Sequence, residues 1–222
     1  MAIRSIVLAT GAVLALATVS VQAATVLPVS YDTPNGDGRA HGGSYNYWDL
    51  AYDGNGSTTT DRAALTGGLG DLTDGVIATQ NWNQVENSSG TGPYVGWREM
   101  DPTLTFHYNQ TVHLTSITLY ADDADGLGAV YAPGGLTLNG TTYSFADPLG
   151  LAPNTFTVSG LDVTAQDFTF TINRRFPASW TFVSEITTTA AAVPEPSTTA
   201  LALLGLTSLG LGYRKRNPKA PG

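Results

Sequence analysis

Three groups of side chains have types and spacing that suit chemistry. Asp71 and Asp74 bracket a Leu-Thr pair just ahead of Gly75, and Asp122, Asp123 and Asp125 run into Gly126. Loop carboxylates, carbonyls and waters are what calcium takes as its six to eight oxygen ligands. A structural Ca2+ is therefore one reading of both clusters, with Asp71 and Asp74 the first choice and Asp123 and Asp125 the second. The second run lacks the downstream glutamate of an EF-hand loop, and plain solvated turns are the other reading. The third group is Trp82, Tyr94, Trp97 and Arg98, set in Gly-rich, loop-like sequence. Aromatic faces with a few polar groups at a loop-built edge are what a sugar site needs. The competing reading is that an aromatic residue in a β protein belongs to the core, as expected for Trp180 and Phe182.

No catalytic residues stand out, and the expectation is a protein that is not an enzyme. The histidines are His41, His107 and His113. None sits in a Gly-x-Ser-x-Gly elbow or a His-Glu-x-x-His helix, and no P-loop occurs. His41-Gly42-Gly43 has the look of an oxyanion-hole loop without a nucleophile to serve. His107 and His113 straddle a stretch read as a turn, where they fit ordinary sheet-surface positions. Two carboxylates meeting in space could hydrolyse a glycosidic bond, but no pair is singled out. A glycoside hydrolase ranks third among the readings of function.

The ends decide where these residues work. Arg4 and the uncharged run Ile6 to Val19, closed by Val21-Gln22-Ala23, have the order of a secretory signal peptide cut before Ala24. At the other end come Pro194-Glu195-Pro196, an uncharged Leu/Ala/Gly-rich run, and the basic cluster Arg214, Lys215 and Arg216. As a helix, Thr198 to Tyr213 would be about 24 Å long at ~1.5 Å per residue, short against a hydrocarbon core of ~30 Å. Local thinning and snorkelling of the basic cluster accommodate that mismatch, and the cluster would lie on the cytoplasmic side. The expected division is a signal peptide over 1–23, a body over 24–192 and a tail over 193–222.

The tail resembles the PEP-CTERM sorting signal of Gram-negative bacteria. Pro194, Glu195 and Pro196 match its motif, Leu201 to Gly212 its apolar helix, and Arg214 to Arg216 its basic end. The resemblance implies an exosortase-type membrane protease as partner, acting at or near the motif. It also implies a transient anchor in the inner membrane, delivery to the outer surface or extracellular matrix, and a host that makes exopolysaccharide.

Between the ends, composition bounds the body. Seventeen of the chain's eighteen acidic residues lie there against five arginines and no lysine, for a net charge near −12. Nucleic acid is excluded as a partner, because its binding depends on neutralising phosphates. With no cysteine in the chain, thiol catalysis and zinc-thiolate sites are excluded, and the body rests on its hydrophobic core.

The elements that must position the candidate residues read as strands. Residues 24–71 are rich in Gly, Asn, Asp and Tyr and predict irregular loop with short strand-like pieces at Tyr45, Tyr47, Trp48 and Tyr52. From Thr103 onward apolar residues alternate. Leu104/Phe106/Tyr108 is followed by a turn near Asn109-Gln110, then Val112/Leu114 and Ile117/Leu119. Leu136-Thr137-Leu138, Asn139-Gly140 and Thr142 to Phe145 form the strongest hairpin signal. Phe156/Val158, Phe168/Phe170/Ile172 and Trp180/Phe182/Ile186 complete at least eight strands. The fold class is all-β, an antiparallel sandwich or jelly roll.

Leu72-Thr73-Asp74-Gly75, the tryptophans, the Pro-Thr-Leu-Thr-Phe strand and Trp180 to Ile186 are similar to the galactose-binding-like (discoidin, F5/8 type C) β-sandwich. That resemblance covers about Leu72 to Thr187 and implies glycan binding and a structural calcium. The combined expectation is an exported, non-catalytic carbohydrate-binding module, with exopolysaccharide as partner. A structural matrix or surface protein without a small ligand is the alternative.

Overall fold

The structure, a computed structural model, describes residues 23–38 and 44–191. The leader and tail expectations, with Arg39 and His41, lie outside these residues. Among the described residues no helix is long and apolar enough to cross a membrane.

The body is built on two long strands. β1 (Ala23–Val26), β2 (Ser30–Pro34) and β3 (Ala64–Gly68) come first. A single helical turn α1 (Trp82–Val85) and β4 (Val95–Arg98) precede the long β5 (Thr103–Ala121). β6 (Gly135–Leu138) and β7 (Thr141–Ser144) form a hairpin, followed by the long β8 (Asn154–Asn173) and β9 (Trp180–Ala191). The strands join in one sheet, in the order β1-β9-β5-β8-β6-β7, with β2 beside β5, β3 beside β2 and β4 beside β9. All pairings between these strands are antiparallel.

β5 and β8 pair from Thr103↔Thr171 to Ala121↔Asn154. Straight, a ribbon of this length would reach about 60 Å at ~3.3 Å per residue. Instead it folds over, with register breaks between His107 and Val112 and between Leu114 and Ser116. Its two ends meet through the loops that follow them. Ser179 donates its backbone N–H to Ala129 O (3.0 Å), Asp122 N–H reaches Phe182 O (3.1 Å), and Glu99 N–H reaches Ser179 O (2.6 Å). Arg175 Nε donates to Ala132 O (3.2 Å). One end of the molecule is therefore a loop pole, and the other is the bend.

Folding the ribbon makes the two layers of a sandwich from one sheet. Leu104, Phe106, Phe170 and Ile172 from one half face Leu114, Ile117, Leu119 and Ile186 from the other, all buried in one cluster. Phe106 meets Phe170 edge-on at 5.2 Å, and Tyr108 meets Phe168 at 5.6 Å. Outward positions carry cross-strand hydroxyl pairs: Thr103–Thr171, Thr105–Thr169 and Thr137–Thr142 at 2.8 Å, and Thr118–Thr157 at 3.0 Å.

The all-β class and the Asn139-Gly140 hairpin agree with the sequence reading. Asn139 and Gly140 both have positive φ, 49° and 76°, as a type I′ turn requires. Three expectations are corrected. Asn109-Gln110 is a bend inside continuous β5, not a turn between strands. The Phe156 and Phe168 runs belong to one strand. The stretch 24–71 holds β1, β2 and β3, held by long-range bonds: Tyr31 Oη donates to buried Asp49, Asp49 Oδ1 accepts from Asp71 N (3.0 Å), and Tyr52 Oη accepts from Gly68 N (2.8 Å).

Trp97 links this first part to the core. Its indole is fully buried and donates to Pro34 O at 2.8 Å. Trp97→Ala is expected to cost about 3–5 kcal/mol, as for other buried aromatic truncations. In urea unfolding this would lower the midpoint with an unchanged m-value.

Candidate functional site

The loop pole carries a second aromatic cluster, separate from the main core: Tyr47, Trp82, Tyr94 and Phe182, with Tyr45 and Trp180 packed against it. Tyr45 and Tyr47 stack at 6.1 Å, Tyr45 meets Trp82 edge-on at 5.0 Å, and Tyr47 lies 4.4 Å from Phe182. Above this cluster opens a concavity of about 450 Å3 lined by Ser44, Tyr45, Trp82, Asn83, Leu127 and Gly128. Gly128 is needed there. Its φ is +66°, and a Cβ would stand 2.6 Å from Trp82 Cζ2, so a side chain would be strained and would push on the indole.

Buried carboxyls place the walls. Asp122 accepts from Asn81 Nδ2 (2.6 Å) and from Trp82 N (2.9 Å), fixing the start of α1. Glu86 closes that turn, its N–H donating to Trp82 O at 2.8 Å. Its Oε1 accepts from Tyr94 N at 2.9 Å, while Oε2 is buried with no hydrogen-bond partner. Tyr94 Oη in turn donates to Gln80 O at 2.9 Å. On the facing loop, Asp123 Oδ1 accepts from Asp125 N (3.2 Å) and Ala132 N (3.3 Å).

The structure separates the sequence candidates. Trp82 borders the concavity but is 5 % exposed, so it offers an edge rather than an open face. Tyr94 and Trp97 are corrected to core positions at 1 % and 0 % exposure. Gly-rich flanks suggested loops, yet at Gly96 a Cβ would lie 2.1 Å from the Phe182 ring. That glycine marks close packing. Arg98 is on the surface, 3.6 Å from Glu99, with its N–H on Asp37 Oδ2 at 2.7 Å, and it does not line the concavity.

The metal candidates tie turns. Asp74 Oδ1 accepts from Val76 N (2.8 Å), Asp71 N donates to Asp49, and Gly75 N donates to Glu185 Oε2 (2.9 Å). Among the described residues no three His, Cys, Asp or Glu side chains are grouped to hold an ion. His107 and His113 do not face one another. His107 lies between Asp167 (2.8 Å) and Asp32 (3.2 Å), and His113 contacts Asp162 (2.7 Å).

Sequence reasoning missed Ser44, Tyr45, Asn83, Leu127 and Gly128 as lining residues. Only the clustering of Tyr45, Tyr47 and Trp82 in polar loop sequence pointed toward them. It also missed the buried acids Asp49, Glu86 and Glu185, and read Asp122 as part of a loop cluster rather than as a buried acid.

Burial raises the carboxyls of Asp71 and Glu185 to about 7, of Glu86 to about 8 and of Asp122 to about 6. Each is protonated more readily in the folded chain than in the unfolded one. Their contribution to stability is thus complete below about pH 4 and is lost as pH rises through about 6 to 8. The melting temperature is expected to fall steadily from pH 5 to pH 8. Glu86→Gln, which keeps the acceptor for Tyr94 N, is expected to flatten that fall, and scanning calorimetry at several pH values checks both.

Comparison with known proteins gives two matches by family profile. Residues 28–124 match the DS-like domain of the discoidin domain-containing receptors 1 and 2. Residues 192–216 match the PEP-CTERM protein-sorting motif. No curated protein matches by sequence. Among solved structures, a truncated AlyQ with CBM32 and alginate lyase domains aligns at 9 % identity and TM-score 0.44, over 78 % of this chain. The chain spans 35 % of that structure's length. The family 32 CBM from C. perfringens NanJ in complex with galactose aligns at 10 % identity and TM-score 0.30, over 43 % of this chain and 75 % of its own. GH31 CBM32-2 bound to GalNAc aligns at 16 % and 0.32, over 53 % and 84 %. The chain carries a PEP-CTERM sorting motif at its C-terminus, behind an all-β body whose residues 28–124 are similar to a discoidin-receptor DS-like domain.

Proposed function

We propose that this is an exported surface protein whose body holds carbohydrate, without turning it over, at the concavity of the loop pole. The carrying observation is that concavity: about 450 Å3, bordered by Tyr45, the edge of Trp82 and Leu127, with Ser44 and Asn83 as polar groups. Apolar walls with a few oriented hydrogen-bonding groups suit a saccharide ring, whose C–H face packs on aromatics while its hydroxyls are bonded at the rim. The sorting motif supports delivery outside the cell through an exosortase-type protease, with the tail held in the inner membrane before processing. Host exopolysaccharide is then the polymer within reach.

A second reading, a structural matrix protein without a small ligand, is favoured by the apolar tips of the same pole. Leu149 is 101 % and Phe176 91 % exposed. On that reading the tips join copies of the chain.

A saccharide array followed by titration calorimetry separates the two. Tyr45→Ala and Asn83→Ala spare the buried Trp82 and are each expected to weaken binding roughly tenfold, about 1.4 kcal/mol, with the melting temperature little changed. Absence of any saccharide signal, with concentration-dependent self-association abolished by Phe176→Ser, would reject carbohydrate binding in favour of the second reading.

A further inference from the structure

The described sheet ends where it begins. β1 and β9 pair from Ala23↔Ala191 to Val26↔Thr188, and His113, beside the bend in β5, also pairs with Ala191. β9 starts at Trp180, in the aromatic cluster under the concavity, and covers about 36 Å at ~3.3 Å per residue before reaching Ala191. The concavity and the departure point of the tail are therefore at opposite poles. From Ala191 the Pro194 of the sorting motif is at most about 11 Å away, and the apolar run at Ala200 at most about 32 Å, at ~3.6 Å per extended residue.

The surface around that departure point suits an apolar neighbour. Leu27 and Val29 are 66 % and 53 % exposed, and Val29 N–H donates to His107 O at 2.8 Å, which places this segment beside the bend. The nearby carboxylates Asp32, Asp162 and Asp167 are each engaged by a histidine, at 3.2, 2.7 and 2.8 Å. A short leash keeps such a surface at high effective concentration near whatever holds the leash, so a contact too weak to persist between separate molecules forms readily.

We propose that the bend pole is a membrane-apposed face. While the sorting tail is attached, Leu27 and Val29 rest on the lipid surface that holds the tail, and the concavity points away from it. This rests on the reading that the tail inserts into the membrane.

The chain has no cysteine, so a fluorophore can be placed at one site at a time. Leu27→Cys at the bend pole and Leu149→Cys at the loop pole replace exposed residues of the same type. The labelled full chain is reconstituted in phosphatidylethanolamine–phosphatidylglycerol vesicles carrying a headgroup quencher. The expected result is several-fold stronger quenching at position 27 than at 149, lost when the chain is ended at Ala192. Equal quenching at the two positions, or stronger quenching at 149, overturns the proposal while leaving the tail reading intact. Shielding of position 27 in the shortened body without lipid means a second copy covers the pole, and overturns it as well. Failure of the full chain to float with the vesicles removes the tail insertion itself, and the proposal with it.

Discussion

The folding-over of the β5–β8 ribbon is the constraint on which the rest of the body depends. Two antiparallel strands supply both layers, so core residues on either side of the bend reach each other without a separate second sheet. Leu104 and Phe106 bury against a face presented by the same strand's Leu114, Ile117 and Leu119. The fold also brings the two ends of the ribbon to one pole, where the loop after β5 supplies Leu127 and Gly128 to the concavity, while Tyr45 and Trp82 come from the segments between β2 and β4 and pack onto the cluster around Phe182 of β9. A shift of register by one residue would turn the apolar set outward. It would also dissolve the loop pole, because Ala129, Ser179 and Asp122 would lose their partners together.

Where the chain is irregular, buried carboxyl groups take over the organising work of the ladder. Asp49 joins Tyr31 to the 71–76 turn, Glu185 caps that turn from β9, and Asp122 and Glu86 hold the two ends of α1. An unpartnered buried charge is costly, whereas a protonated or multiply bonded carboxyl is tolerated. Loops rich in Gly, Asn and Asp, which would otherwise wander, are thus fixed by a few acids anchored in the sheet. The same acids make the loop pole sensitive to proton concentration.

Much of this was legible in the sequence where the side chain and the backbone report the same thing. Alternation from Leu104 to Tyr108 and from Phe168 to Ile172 marks a half-buried strand, and Asn139-Gly140 demands a hairpin. Continuity through the bend was not legible, because Asn109-Gln110 has turn chemistry although the backbone stays extended. β2 and β3 were hidden because Ser-Tyr-Asp-Thr-Pro and Ala-Leu-Thr-Gly-Gly owe their pairing to partners far along the chain. The misplacement of Trp97 and Tyr94 has the same origin. Glycine reads locally as looseness, but Gly96 is there because Phe182 crosses the backbone at close range. The rim residues Asn83 and Leu127 carry no local signal at all; only the meeting of two distant loops defines them.

The outward hydroxyl pairs along β5, β8, β6 and β7 give the body a character its overall acidity hides. Thr103–Thr171, Thr105–Thr169 and Thr137–Thr142 join neighbouring strands through neutral groups that neither titrate nor attract counterions. Bonds of that kind hold equally in dilute and in concentrated salt, whereas exposed ion pairs weaken as the Debye length shrinks. The flanks of the sandwich are consequently indifferent to the ionic medium, and the response to surroundings is confined to its two poles. For a molecule working outside the cell, where salt and acidity are set by the environment, the sheet acts as a fixed frame between two adjustable ends.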